Sequence, residues 1–322
     1  MRKRIAVLDD YQGLALKLAD WGVLGEHAEV QVFTDTPATN AALIERLQPF
    51  EVIVAMRERT RFGRALLEAL PRLELIASTG LRNATIDQAA CAERGIVLCG
   101  ARGARSGLGG TAETAWTHVL ALRKHLLASH AALQAGHWQP QLAQPLMGKT
   151  LGLVGLGNIG QQMARIGQAF GMDVIAWSPN LTPDRAQAAG VRCVSKHALL
   201  EGADVLSLHL VLAPATVNVL DAADLALMKP SAILVNTSRA ELVNEQALLQ
   251  ALQSGRLAGA GLDVFWQEPL PVTHPLLALD NVVLTPHLGY ATEDNMAAFY
   301  RNVIANIQAW MAGQTPTPLA AS

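Results

Sequence analysis

Short apolar runs alternate with helix-period stretches along nearly the whole chain, and that alternation restricts the fold more than any other feature. "RIAVLDD", "VQVFT", "EVIVAM", "LELIAST" and "GIVLCG" read as buried strands in the first hundred residues. Helical stretches such as 41–47 and 65–70 lie between them. A second series follows: "LGLVG", "DVIAW", "VRCV", "VLSLHL", "AILVNTS", "AGAGLDVF" and "NVVLTPH". Strands that alternate with helices build parallel sheets covered on both faces. At 322 residues, two such domains are expected.

Between the two series, "GARGARSGLGG" (residues 100–110) reads as a hinge or linker. A single helix is expected over 111–129, with Ala115, Val119, Leu122 and Leu126 on its buried face. A last helix carries Met296, Phe299, Val303 and Ile307 on one face and ends at Gly313.

Composition removes several function classes. The chain is 51% hydrophobic and 16% charged, with a net charge of −2, so no basic field exists to attract nucleic acid or an anionic membrane. No run approaches the ~20 apolar residues of a membrane span. "MRKR" reads as a short solvated start, without the apolar region and cleavage site of a signal peptide. Cys91, Cys99 and Cys193 form no C-x-x-C pair and no cluster with His, so neither a metal site nor a disulfide framework is expected. Reduced core thiols in a cytoplasmic protein are the expectation.

The segment "LGLVGLGNIGQQMARIGQAFGMDVIAWSPN" carries the first chemistry. A strand, then Gly155, Gly157 and Gly160 as G-x-G-x-x-G, then a helix and a second strand, is the context in which this spacing binds a dinucleotide. Gly155 permits the tight turn, Gly157 the close approach of pyrophosphate, and Gly160 the packing of helix on strand. Amide N–H groups around Asn158, Ile159 and Gly160 would face the phosphates. Ser178 stands where a carboxylate ordinarily grips the ribose of NAD, and no guanidinium follows Asn180 until Arg185. NAD is therefore the expected cofactor, with NADP left open.

Three later strands end in polar residues: Asn236, Thr237, Ser238 and Arg239; Asp263 and then Glu268; and His287. Ligands of doubly wound sheets bind beyond the carboxyl ends of the strands. Taken singly, Arg239 could be solvated, Glu268 could cap a proline turn and His287 could be a satisfied histidine. Together after the fingerprint they point to one crevice.

The chain resembles the D-isomer-specific 2-hydroxyacid dehydrogenase family through "TAETAWTHVLALRK", "GKTLGLVGLGNIG", "LALMKPSAILVNTSRAELVNEQAL", "AGAGLDVFWQEPLP" and "VVLTPHLGYAT". The resemblance implies an α/β fold of two doubly wound parallel-sheet domains. A Rossmann cofactor domain (102–291) would be inserted into a smaller flavodoxin-like substrate domain (1–101 and 292–322), with the active site in the cleft and a homodimer built through the cofactor domain. It implies hydride transfer between the nicotinamide cofactor and a small 2-hydroxy or 2-keto acid. Arg239 would bind the substrate carboxylate and carbonyl, His287 would act as acid/base with Glu268 as its partner, and Asp263 would hold the nicotinamide carboxamide. The cofactor contacts it implies are Thr111, Gly155, Gly157, Asn158, Ile159, Gly160, Ser178, Asn180, Leu210, Thr216, Thr237, Ser238, Arg239, Asp263, His287 and Gly289. Substrate contacts fall on Arg57, Gly80, Leu81 and Arg82.

Those roles agree with general chemistry. A guanidinium forks onto a carboxylate, and an imidazole titrates near neutrality and can exchange a proton with an alkoxide. The chain departs from the family at Ser178 and in "STGLRNATID", where Arg82 and Asn83 replace a glycine-rich region and Ala84 and Thr85 replace an acidic–amide pair. If Arg57 or Arg82 faces the cleft it would select an acidic or extended substrate; a solvated surface position is the alternative. Two other readings use the same scaffold: a non-catalytic NAD(P) sensor, and a dehydrogenase of formate or phosphite.

Overall fold

Each apolar run in the two series forms a strand. The structure, a computed structural model, describes residues 2–104 and 107–321. In chain order the first elements are β1 (Lys3–Val7), α1 (Ala15–Leu18), β2 (Ala28–Val32), α2 (Asn40–Leu47), β3 (Val52–Ala55), α3 (Arg64–Glu68), β4 (Leu75–Thr79), α4 (Gln88–Glu93) and β5 (Val97–Ala101). Then come α5 (Gly107–Arg123), α6 (Leu126–Gln134), β6 (Thr150–Val154), α7 (Asn158–Ala169), β7 (Asp173–Trp177), α8 (Pro183–Ala188), β8 (Arg192–Cys193), α9 (Lys196–Gly202) and β9 (Val205–Leu208). The chain closes with α10 (Ala222–Leu227), β10 (Ile233–Asn236), α11 (Glu245–Gln253), β11 (Gly259–Leu262), β12 (Val282–Leu284) and α12 (Glu293–Met311).

Two compact units result, Met1–Gly107 with Thr292–Ser322, and Leu108–Ala291. The first holds a five-stranded sheet in the order β2-β1-β3-β4-β5, all parallel. Its C-terminal segment is bound in: Tyr300, Val303 and Ile307 of α12 are fully buried, Asn306 donates to the Gly100 carbonyl (3.1 Å), and Ala320 N–H donates to the Leu81 carbonyl (2.8 Å).

The second unit holds a seven-stranded parallel sheet, β12-β11-β10-β9-β6-β7-β8. Successive strand residues point to opposite faces, and both faces are apolar here. Leu151, Leu153, Val205, Ile233 and Val235 enter one core, while Val154, Leu206, Leu208, Leu234 and Leu262 enter the other. Removing each such side chain from water stabilises the fold by about 1.5–3 kcal/mol. The strand order reverses between β6 and β9, so the crevice where such sheets bind ligands opens beyond their ends.

Two expectations are corrected. The helix expected over 111–129 is two helices, because His125 takes a left-handed conformation (φ 49°) that ends α5. Leu126, expected on the buried face, is consequently exposed. The glycine-rich stretch 100–110 is not a linker throughout: β5 runs to Ala101 and α5 begins at Gly107, tertiary placement overriding the poor helix propensity of Gly109 and Gly110. Arg105 and Ser106 of that stretch lie outside the described residues. All three cysteines are free thiols, and burial pushes those of Cys91 and Cys99 up to about 11 and about 12. Among the described residues no helix is long and apolar enough to cross a membrane, and no cluster of His, Cys, Asp and Glu could hold a metal.

Candidate active site

The glycine turn sits at the β6 end, beside the end of β9. Gly155 has φ +104°, and a Cβ there would lie 2.6 Å from the His209 carbonyl oxygen. A Cβ on Gly160 would collide with the Gly155 carbonyl. Both glycines are therefore required by the protein's own packing. Gly157 is different: a Cβ there would meet nothing within 4 Å among the described residues. It begins α7 without a side-chain cap, whereas side-chain oxygens of Thr39, Asp87, Thr182, Ser195, Asp221 and Asn244 cap α2, α4, α8, α9, α10 and α11. The open face of Gly157 and the uncapped α7 amides, with Asn158 exposed and Ile159 half-buried, fit a pyrophosphate.

Thr237, just past β10, is buried with its hydroxyl lacking any hydrogen-bond partner among the described residues. A buried orphan hydroxyl is costly, and a polar group of a bound cofactor would satisfy it. Its neighbours are pinned. Asn236 accepts from Ser238 N–H (3.0 Å) and donates to the Arg239 carbonyl (2.8 Å), while Ser238 Oγ donates to the Leu210 carbonyl (2.5 Å). Arg239 leaves this braced turn half-buried, one guanidinium nitrogen donating to the Ser238 carbonyl (2.6 Å).

Glu268 and His287 meet. Glu268 Oε1 accepts from Phe265 N–H (2.9 Å), and Oε2 lies 2.8 Å from His287 Nδ1. An ionised carboxylate only accepts, so Nδ1 carries the hydrogen. Both side chains are about one-fifth exposed (21%), enclosed enough to be held and open enough to be reached. The ring also packs edge-on against Tyr290, with centroids 5.6 Å apart. His287 occupies a left-handed backbone position (φ 56°) and donates its N–H to the Thr285 carbonyl (2.9 Å).

Asp263 explains how that turn is held. Fully buried at the β11 end, its Oδ1 accepts from Thr285 Oγ1 (2.6 Å) and Leu288 N–H (2.7 Å), and its Oδ2 from Gly289 N–H (2.9 Å). The Thr111 hydroxyl, near the start of α5, donates to the Gly289 carbonyl (3.0 Å). Thr216 is committed to its own loop, accepting from Ala213 N–H and donating to the Val211 carbonyl.

At the β7 end, Ser178 is half-buried and its carbonyl accepts from Leu181 N–H (3.2 Å). Arg185 reaches back to donate to the Asn180 carbonyl (3.2 Å), so a guanidinium does stand at this loop. Arg57, Gly80, Leu81 and Arg82 belong to the other unit. There the Arg57 stem covers Gly80, whose φ is +88° and whose Cβ would come 2.9 Å from Arg57 Cδ, while Arg82 is exposed. Asn83, one of the departures from the family pattern, is buried and organises its loop, donating to Ser78 Oγ and accepting from Thr85.

Sequence reasoning missed His118 and Thr285. Thr285 lies two residues before His287, and His118 is a polar residue on the buried stripe of α5; those were the available signals. His118 Nε2 lies 2.9 Å from Thr285 Oγ1.

The strand order reverses at an open glycine turn, and an Arg, a Glu–His pair and a buried Asp stand at adjacent strand ends. Residues 116–289 match the family model described as D-isomer specific 2-hydroxyacid dehydrogenase, NAD binding domain. The chain belongs to the D-isomer-specific 2-hydroxyacid dehydrogenase family.

It is 36% identical over 314 residues to D-3-phosphoglycerate dehydrogenase of Methanocaldococcus jannaschii, covering 97% of this chain but only 58% of that protein. Its identity to glyoxylate reductase of Thermococcus litoralis is 34% over 301 residues, 90% of each chain. The crystal structure of a phosphoglycerate oxidoreductase from Vibrio cholerae superposes with a TM-score of 0.90 at 38% identity, covering 97% of this chain and 99% of that one.

Proposed function

We propose that the chain reduces a small 2-keto acid to the D-2-hydroxy acid, and runs the reverse oxidation, with Arg239, Glu268 and His287 as the working groups. The observation that carries this reading is the 2.8 Å contact between His287 Nδ1 and Glu268 Oε2 beside the braced Arg239 turn. When bound, a reduced nicotinamide supplies the hydride to the carbonyl carbon. Arg239 forks onto the substrate carboxylate and polarises the neighbouring carbonyl. Glu268 holds the Nδ1–H and orients the ring, so Nε2 is the nitrogen that exchanges a proton with the developing alkoxide. The Thr237 hydroxyl and the α7 amides would hold the cofactor, and Asp263, besides bracing the turn, would hold its carboxamide.

NAD is the proposed cofactor, with Arg185 the group that a 2′-phosphate of NADP would recruit. The chain acts in the cytoplasm as a homodimer through the cofactor domain. Leu126, Leu127 and Leu133 on α6, and Trp138, Leu142 and Met147 after it, supply exposed apolar surface for a second copy to cover.

Loss of reduced-nicotinamide absorbance with glyoxylate, hydroxypyruvate and other 2-keto acids tests this, using NADH and NADPH in parallel. Turnover of at least one, faster with NADH, is the expected result. Cofactor binding without any turnover would favour the sensor reading, and hydride release from formate or phosphite alone would favour that chemistry instead.

A further inference from the structure

His118 sits fully buried in the middle of α5, and its ring packs over Gly261 of β11, where a Cβ would come 2.5 Å from His118 Cβ. Its proton can be placed. The Thr285 hydroxyl lies 2.6 Å from Asp263 Oδ1 and 2.9 Å from His118 Nε2. A hydroxyl has one hydrogen, and an ionised carboxylate can only accept, so that hydrogen is spent on Asp263. The hydroxyl oxygen must then accept from His118, which therefore carries its hydrogen on Nε2. Nδ1 is left bare, and it is buried with no partner among the described residues. Protonating it would bury an unpaired N–H on a charged ring. Burial accordingly lowers the His118 pKa below its usual value, opposed by the smaller influence of Asp263.

We propose that His118 is a positioning residue for His287: its Nε2–H fixes the Thr285 hydroxyl on Asp263, and Asp263 in turn fixes the turn that carries His287. The connection is continuous. Thr285 accepts the His287 N–H at its carbonyl and donates from its hydroxyl to Asp263, which receives the amides of Leu288 and Gly289 immediately after His287. Without the donor from α5 the Thr285 hydroxyl keeps only its bond to Asp263, that bond loses the strengthening an accepted hydrogen bond gives it, and a left-handed histidine is held less firmly. The chain places a hydrogen-bonding ring among Ala112, Ala115, Trp116 and Val119 on the buried stripe of α5, where it supplies that donor. This proposal rests on the reading of His287 as the acid/base.

Nitrogen-15 NMR of histidine-labelled protein tests it, with kinetics of His118→Leu and His118→Gln alongside. In the wild type His118 should show a protonated Nε2 and a bare Nδ1. His118→Leu should lower kcat about tenfold, roughly the value of one neutral hydrogen bond, and should shift the His287 ring signals. The KM for the keto acid and the Kd for NADH should stay within about twofold. His118→Gln, which keeps a donor at the corresponding nitrogen, should restore kcat to within about threefold and return the His287 signals towards those of the wild type. A purely structural role would move the melting temperature and leave the His287 signals and the kcat-against-KM pattern alone.

An Nδ1–H or charged His118 in the wild type, or a folded Leu variant with wild-type kcat and unshifted His287 signals, overturns the proposal. If the wild type turns over no 2-keto acid, the functional reading has failed, and the tautomer and the His287 response still decide the positioning of the turn.

Discussion

His209 shows how a single half-buried imidazole, its inner nitrogen shut from solvent, sets a pH limit on this fold. Its Nε2 lies 2.9 Å from Ser207 Oγ, and its Nδ1 is shut from solvent without a partner among the described residues. Burial drives its pKa down to about 3. In the unfolded chain a histidine titrates near ~6.5, so between those values the unfolded state binds the extra proton. The contribution to stability is complete above the unfolded pKa and is lost as pH falls through this window, by about 1.4 kcal/mol per pH unit. His118 is shifted in the same direction and steepens the upper part of the loss. Carboxylates held low, such as Asp204 and Asp221, lose their contribution only under more acid conditions. Thermal melts from about pH 7 to about pH 5 should therefore show a falling Tm, and His209→Asn should flatten the slope. Equal slopes in the two proteins would mean that His209 is not held neutral.

Among the elements, the glycine turn separates what the sequence shows from what it conceals. G-x-G-x-x-G presents three equivalent letters, yet Gly155 and Gly160 answer to the protein's own carbonyls, while Gly157 answers to nothing among the described residues. Gly157→Ala, at an ordinary φ of −78°, should fold with a melting temperature close to the wild type and bind NADH about tenfold more weakly or worse. Gly160→Ala should cost stability, by about 1–3 kcal/mol as overpacked sites do. Melting curves and cofactor fluorescence titrations distinguish the two; unchanged NADH binding by Gly157→Ala would remove the pyrophosphate from that face. The strands were legible because parallel strands buried on both faces read as continuous apolar runs. The break at His125 was not, since one left-handed residue leaves the helical period on either side intact. Helical Gly109 and Gly110 were misread for the opposite reason: composition suggested a linker, and packing decided otherwise.

At the scale of the whole molecule, the strand order places Arg239, Asp263 and His287 at three neighbouring strand ends, and alternation with a doubly wound sheet was enough to anticipate that. The pairing of Glu268 with His287 was anticipated as well, from the family pattern. What lay beyond the sequence were contacts made across elements far apart in the chain. The hydroxyl of Thr285 reaches His118, and Asp263 is spent on the amides beside His287. Thr216, expected to meet the cofactor, uses its hydroxyl within its own loop. No period or motif encodes such partners, because each depends on where another element's side chain ends. His287→Asn measured in the 322-residue chain is the most direct test, with kcat and NADH Kd determined on one preparation. A loss in kcat of about a thousandfold, the scale of a missing general acid, with NADH Kd within about twofold, is the expected result. Turnover retained near the wild-type rate would contradict the assignment of His287, and with it the chemistry proposed for this site.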